Sequence, residues 1–206
     1  MCDALQREYE ARLTALEELK NSLQAETTRV LAEVQHIDRV SFRVKVVKSF
    51  VEKATDPDNN PPYTHPLREI EDQVAGRVLV FFLQDIDPVC QRLRQVFTAV
   101  ESSRRKPKKD EEFGYESHHL ICVIPSAVKP GTWSDFRDMP TTFELQVRTL
   151  FMHAWAEPQH DLGYKGPGDL PPNIRRELAW VAASAWGADQ AFSRVSAWNT
   201  AKEHTQ

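Results

Sequence analysis

Apolar residues recur at helical spacing along the first part of the chain. Leu5, Tyr9, Leu13, Leu16, Leu23, Val30, Val34 and Ile37 stand three to four positions apart, or multiples of that, with charges between them. This predicts one long helix or two over residues 4–37, packed on a core rather than in a coiled coil. A second helical stretch is predicted over about 41–54, ended by the loop Asp56-Pro57-Asp58-Asn59-Asn60-Pro61-Pro62. The pattern then changes. Val78 to Leu83 are apolar without a break, so residues 75–83 predict a buried strand covered by helices on at least one face. Asp87-Pro88 starts a helix over about 88–101, with Val89, Leu93, Val96 and Val100 on one side. Two more strands are predicted, His119 to Ile124 and Phe143 to Thr149, and a helix over about 150–162. Leu170-Pro171-Pro172 introduces the last helix, with Asn173 as its N-cap. Ile174, Leu178, Val181, Ala185, Ala188, Phe192 and Val195 hold the helical period there, and residues 199–206 are expected to fray.

This order of elements predicts an α+β (mixed α/β) fold: a small mixed sheet of about four to five strands surrounded by helices. The expected organisation is a helical segment over 1–40, a core over 41–168, and a C-terminal helix over 169–206 that packs on the core or forms an oligomer interface.

Composition narrows the classes. The 206 residues suffice for one domain with a core that needs no disulfides. Cys2, Cys90 and Cys122 are odd in number and far apart, which argues against a disulfide framework and a Cys-rich zinc site. The N-terminus is polar and no apolar run approaches membrane-spanning length, so a cytoplasmic protein without membrane contact is expected. The net charge of −4 gives no global case for nucleic acid. The charge is uneven, however. Ser103-Arg104-Arg105-Lys106-Pro107-Lys108-Lys109 is basic, and Asp110-Glu111-Glu112 follows at once. A solvated loop is the plain reading of that run; a phosphate or RNA contact is the sharper one.

The third strand carries the first chemical signal. Phe143, Leu145 and Val147 face one way, and Glu144, Gln146 and Arg148 the other. A polar face on an interior strand needs either solvent or a ligand. Asp72 and Arg77 flank a Val-Ala-Gly turn into the first strand. If the two strands are neighbours, Asp72 and Glu144 can share a Mg²⁺ ion, whose hard oxygen ligands suit polyphosphates, while Arg77 and Arg148 neutralise phosphate charge. Upstream, Lys45, Ser49 and Lys53 lie at four-residue spacing, one face of a helix if the stretch is helical, and can grip a triphosphate. In Phe113-Gly114-Tyr115-Glu116-Ser117-His118-His119, Gly114 permits close approach, Tyr115 can stack on a base, and His119 can bind phosphate or donate a proton. His153, Glu157 and His160 do not match a zinc-protease pattern; interlocking with the strand before them is the expected role.

Taken in order, these segments resemble the synthetase domain of the RelA/SpoT family, in its small single-domain alarmone synthetase form, over roughly residues 40–165. Arg43-x-Lys45…Ser49-Phe50…Lys53 looks like the family's ATP-gripping helix. Asp72-x-x-x-Gly76-Arg77 looks like its metal aspartate and adenine-stacking arginine. Gly114-Tyr115-x-Ser117-x-His119 looks like its acceptor loop, and Glu144-x-Gln146-x-Arg148-Thr149 like the strand of its second catalytic acid. His160-x-x-x-Tyr164-Lys165 matches the end of that stretch.

The resemblance implies a nucleotidyltransferase-like synthetase fold and transfer of the β,γ-pyrophosphate of ATP to a ribose 3′-hydroxyl. It implies Asp72, Glu144 and Arg77 as catalytic, with Asp72 and Glu144 on Mg²⁺. It implies Arg43, Lys45, Ser49, Lys53 and Arg77 on ATP, and Tyr115, Ser117, His119, Gln146 and Arg148 on the acceptor. A guanine nucleotide (GDP or GTP) is the first expected acceptor. Synthetases of this family usually carry a basic and a small polar residue just before Gly-Tyr; here Glu111, Glu112 and Phe113 stand there, and acids weaken an anionic nucleotide's binding. The stretch from His153 to Leu162 also looks like the family's toxin branch, which pyrophosphorylates the 3′ CCA end of tRNA and implies an antitoxin partner. An idle nucleotide-binding regulatory module is the third expectation. Small relatives often assemble through terminal helices, so a homo-oligomer is expected as well.

Overall fold

The computed structural model describes residues 2–59, 61–105, 113, 117–162 and 170–203. One mixed sheet organises them, with strand order β1-β2-β5-β4-β3. Its strands are β1 (Ile37–Val44), β2 (Val74–Val80), β3 (Ala99–Arg105), β4 (Ser117–Val123) and β5 (Thr142–Thr149). β2 and β5 run parallel at the centre, while the β1–β2, β4–β5 and β3–β4 pairs are antiparallel. The helices are α1 (Cys2–Val30), α2 (Val47–Thr55), the short α3 (Pro66–Glu69), α4 (Leu83–Arg94), α5 (Leu150–Asp161) and α6 (Pro172–Glu203). A 3₁₀ turn, Glu71–Gln73, leads into β2. The expected mixed α+β class, with a sheet of about four to five strands, is the class observed, with five. Among the described residues no helix is long and apolar enough to cross a membrane.

One face of the sheet is apolar. Val78 and Val80 of β2, Phe143, Leu145 and Val147 of β5, and Leu120 and Cys122 of β4 are buried beneath α1 and α4. α1 supplies Tyr9, Leu16, Leu19 and Leu23, all fully buried, from one helical stripe. Gly76 belongs to this face, and its lack of a side chain is what lets β1 and β5 close on β2. A Cβ there would sit 2.7 Å from Leu145 Cδ2 and closer still to the Phe42 ring.

Several boundaries differ from the sequence expectation, each for a physical reason. α1 ends at Val30; Val34 and Ile37 keep the apolar period but lie beyond it, and the chain reverses through His36 at φ 64°. Residues 41–44 are strand rather than helix, because β1 pairs along β2 from Ile37 to Val44. The boundary expected at residue 40 therefore falls inside β1, and α1 shares one core with the sheet. Gly76 lies inside β2, not in a turn before it. β2 stops at Val80, and α4 starts five residues before Pro88, which lies within it. The Asp85 carboxylate fixes that start by accepting from the Phe82 amide at 3.2 Å. Residues 99–105, expected as helix end and loop, form β3, an edge strand whose polar side chains conceal it and which, among the described residues, pairs with β4 alone. α6 opens at Pro172, so Asn173 sits in the first turn and not at the cap.

α6 also presents its expected core stripe outward. Ile174, Val181, Phe192 and Val195 are exposed, along with Trp180 and Trp198, while Ala182 and Asp189 are its buried residues. It packs on α5 through Trp155, Ala156 and Ala182. Its Asp189 accepts from the Thr149 hydroxyl at 2.6 Å, and the same hydroxyl caps α5 by accepting from the Met152 amide at 3.1 Å.

Candidate active site

The other face of the sheet is polar, and the register aligns its groups in ranks. Ser41, Arg77, Gln146, His119 and Ser103 are successive partners across all five strands. The next rank toward the start of β2 runs Arg43, Ala75, Glu144, Ile121, Glu101. This face is not simply solvated: Glu144, His119, Arg148 and Ser117 are all buried. Charged groups in such a setting must be paired.

Asp72 stands at the head of β2 in the 3₁₀ turn, at φ −92° and ψ 22°, outside the helical region. Two ammonium groups hold its carboxylate, Lys45 Nζ at 2.7 Å on Oδ2 and Lys53 Nζ at 2.9 Å on Oδ1. Burial works to raise its pKa, but the two lysines outweigh burial and hold it below the usual carboxylate range. Lys53 answers in kind: burial works to lower its pKa, and the Asp72 charge raises it overall. Lys45 does not belong to α2. It lies in the connection after β1, where its amide donates to the Gln73 carbonyl at 2.8 Å and extends the β1–β2 pairing by one bond. The expected helical comb of Lys45, Ser49 and Lys53 is therefore a turn plus a helix: Ser49 and Lys53 lie on α2, and Lys45 joins Lys53 only at Asp72. Arg43 is exposed at the end of β1, opposite Ala75.

Glu144 on β5 lies in the same electrostatic field. Its Oε1 is hydrogen-bonded to His119 Nδ1, and its Oε2 accepts from Gln146 Nε2 at 3.0 Å. Burial pushes Glu144 up, Asp72 adds to that, and the hydrogen bond and charge of His119 bring it below its ordinary value overall. Both carboxyls are thus held ionised within each other's influence. Glu71 differs: burial and then Glu101 push its pKa up. Gln146 in turn accepts from Arg148 Nη2. A line of polar contacts so runs from His119 through Glu144 and Gln146 to Arg148.

The far end of the face is tied by α5. Glu157 Oε1 lies 2.8 Å from Arg77 Nη2, 3.7 Å from Arg148 Nη1 and 3.6 Å from His153 Nδ1. Glu157 ties α5 to β2 through Arg77 and to β5 through Arg148, while His153 faces Glu157 along α5 itself. Burial, and then Arg77, lower the His153 pKa. Among the described residues no three His, Cys, Asp or Glu side chains gather as a metal cage. The expected Asp72–Glu144 pair supplies two carboxylates, the count that suits a magnesium ion completed by water and phosphate.

Gly114, Tyr115, Glu111, Glu112, Tyr164, Lys165 and residues 106–109 of the basic run lie outside the described residues, as does the side chain of His160. Two participants escaped the sequence reading, Tyr9 and Gln73. Tyr9 donates its hydroxyl to the Lys45 carbonyl at 2.7 Å, and Gln73 is fully buried with its amide on the Leu67 and Ile70 carbonyls at 2.8 and 3.0 Å. The signal available for Tyr9 was a hydroxyl in an otherwise aliphatic stripe, which needs a buried acceptor. A separate cavity of about 190 Å³ opens between α4, α5 and α6, lined by Leu83, Ile86, Trp155 and Trp186 among others; Asp72 and Glu144 are not part of it.

The chain is similar in sequence and in fold to known proteins. The family described as "Region found in RelA / SpoT proteins" matches residues 42–169. GTP pyrophosphokinase YjbM of Bacillus subtilis (strain 168) is 34% identical over 188 residues, covering 88% of this chain and 83% of that protein. The small alarmone synthetase 1 from Bacillus subtilis superposes with a TM-score of 0.74 at 23% identity, over 94% of this chain and 98% of that one, a likeness of fold. The same enzyme bound to AMPCPP gives 0.66 at 26% identity, over 97% and 99%. The chain belongs to the RelA/SpoT family.

Proposed function

We propose that this chain is an ATP-dependent pyrophosphokinase that transfers the β,γ-pyrophosphate of ATP to the ribose 3′-hydroxyl of GDP or GTP, making (p)ppGpp. The observation that carries the reading is the pair of ionised carboxylates, Asp72 in the turn at the head of β2 and Glu144 on the polar face of β5, with Lys45, Lys53, Arg77 and Arg148 around them. That combination suits a polyphosphate and a divalent cation, and serves no packing need. Family membership, and relatives named GTP pyrophosphokinase, support the reaction.

In this reading Lys45, Lys53, Ser49 and Arg43 bind the ATP phosphates, and Arg77, braced by Glu157, stacks on adenine. Tyr115 stacks on the acceptor base, with Ser117, His119, Gln146 and Arg148 along the acceptor. Asp72 and Glu144 hold Mg²⁺, which when bound neutralises phosphate charge. Glu144, oriented by His119 and Gln146, takes the proton of the 3′-hydroxyl. The 3′-oxygen then forms a bond to the β-phosphorus. The bond from that phosphorus to the oxygen of the α-phosphate breaks, and AMP leaves with that oxygen. Most of the acceleration comes from placement and charge neutralisation.

The exposed indoles of α6, Trp180 and Trp198, support self-association as a homo-oligomer. Trp180→Ser with Trp198→Ser is expected to lower the mass measured by light scattering, and an unchanged mass would remove α6 from the interface.

The reaction is tested with γ-labelled ATP and Mg²⁺, offering GDP, GTP and deacylated tRNA in parallel and Glu144→Gln as control. Label on a guanine nucleotide is expected. Label on tRNA alone would make the chain a translation toxin, and label on neither would leave a nucleotide-binding module.

A further inference from the structure

We infer that Tyr9, on the N-terminal helix, is a positioning residue for ATP that acts through the backbone of Lys45. The inference rests on the reading of Lys45 and Lys53 as phosphate-binding groups.

Tyr9 is fully buried, and its ring lies flat on Phe50, with centroids 3.8 Å apart and planes 2° from parallel. Its hydroxyl donates to the Lys45 carbonyl at 2.7 Å. The Lys45 amide donates to the Gln73 carbonyl at 2.8 Å. The backbone of Lys45 is therefore held from both sides: by α1 through one hydroxyl, and by the residue that follows Asp72. From that fixed backbone the side chain reaches the Asp72 carboxylate, 2.7 Å away. Lys45 needs such a hold. β1 has ended at Val44, and α2 begins only at Val47 with no side-chain cap.

The same ring reaches the second lysine by another route. Phe50 is the buried anchor of α2, the helix that carries Lys53. One side chain thus sets both ammonium groups, the hydroxyl acting on Lys45 and the ring on the seat of Lys53. The apolar partners of Tyr9 along α1, such as Leu16, Leu19 and Leu23, fill the core without a hydroxyl. A buried hydroxyl is costly unless bonded, so packing alone would favour an aliphatic or phenyl side chain at this position. Burial and the neighbouring Asp72 push the phenol pKa upward, which keeps the hydroxyl a donor.

The two functions separate chemically. Tyr9→Phe removes the hydroxyl and keeps the stack. We expect Tyr9→Phe to fold with an unaltered circular dichroism spectrum and to raise the KM for ATP about fivefold to tenfold, the size of one lost hydrogen bond. The acceptor KM should stay within twofold. In a Lys45→Met background, which itself should raise the ATP KM, adding Tyr9→Phe should change it less than twofold, because the residue it acts through is gone. A purely structural role would instead lower the melting temperature and move both KM values together, or act equally in both backgrounds; either result overturns the inference. So does a Tyr9→Phe enzyme with normal ATP KM. If Lys45→Met leaves the ATP KM unchanged, the reading of Lys45 fails, and the Tyr9 inference with it. If Lys45→Met raises that KM and Tyr9→Phe does not, only the Tyr9 inference fails. Were Tyr9→Phe to lose its fold, titrating ATP into Phe50→Leu decides: it keeps the hydroxyl and should weaken ATP binding less than Lys45→Met does. Equal weakening would place the effect in packing and overturn the inference.

Discussion

Lys53 and Asp72 meet with 2.9 Å between ammonium and carboxylate, joining α2 to the head of β2 across a gap that no backbone bond spans. The pair lies at the margin of the core, with the lysine partly in solvent. The lysine keeps 38% of its side-chain surface exposed, and solvent screens the attraction, so the contact contributes at most about 1 kcal/mol to stability. Lys53→Met should therefore leave the urea midpoint nearly unchanged. The KM for ATP should rise about tenfold to a hundredfold, the range for a lost charged hydrogen bond to phosphate. A large drop in stability with normal ATP binding would reverse that assignment.

Glu144→Gln keeps size and shape but removes the charge that His119 faces. Transfer is expected to fall by about two to four orders of magnitude, the range for loss of a general base. Circular dichroism should show the fold intact. An active Glu144→Gln enzyme would take this residue out of the chemistry.

Gly76→Ala tests the centre of the sheet. The added methyl meets Phe42 and Leu145 on the two neighbouring strands, and both are held by the core. Overpacking of this kind costs about 1–3 kcal/mol. Denaturant unfolding should show that loss, together with reduced transfer, because Arg77 is the next residue. Unchanged stability would mean that β1 can move aside freely.

Stability should also depend on pH through two histidines. Burial depresses the pKa of His118, with Arg104 adding to it, and that of His153, with Arg77 adding to it, below the ordinary 6.5. As pH falls below 6.5 the unfolded chain binds protons at these positions that the folded chain does not yet bind. The unfolded state gains, so stability is full above that value and is lost as pH drops toward the folded-state pKa values. Urea midpoints between roughly pH 8 and 5.5 measure the slope. His118→Asn with His153→Asn should flatten it, and an equal slope in that variant would assign the loss to other groups.

Much of the site could be read without coordinates because its residues follow the strand period. Glu144, Gln146 and Arg148 alternate with Phe143, Leu145 and Val147, and that alternation alone puts three polar groups on one face. The apolar run at Val78 marked the central strand by a different signal, an unbroken apolar stretch that suits a strand covered by helices. β3 was not legible: Ala99-Val100-Glu101-Ser102-Ser103-Arg104-Arg105 has no strand signature, and only the open edge of β4 makes it one. Residues 41–44 misled in the opposite way, since their spacing suits a helix while the edge of β2 draws them into the sheet.

The amino-acid sequence by itself determined the mixed α+β class, the buried central strands and the carboxylate and cationic residues of the candidate site, since each depends on local period and side-chain chemistry. Tertiary structure alone decided which groups meet. Asp72 receives lysines from 27 and 19 positions upstream, Glu144 receives a histidine 25 positions away, and Lys45 is held by Tyr9 from 36 positions before it. Such pairings depend on strand register and on where a helix docks. These are set by the sum of many apolar contacts rather than by any motif, so no local pattern announces them.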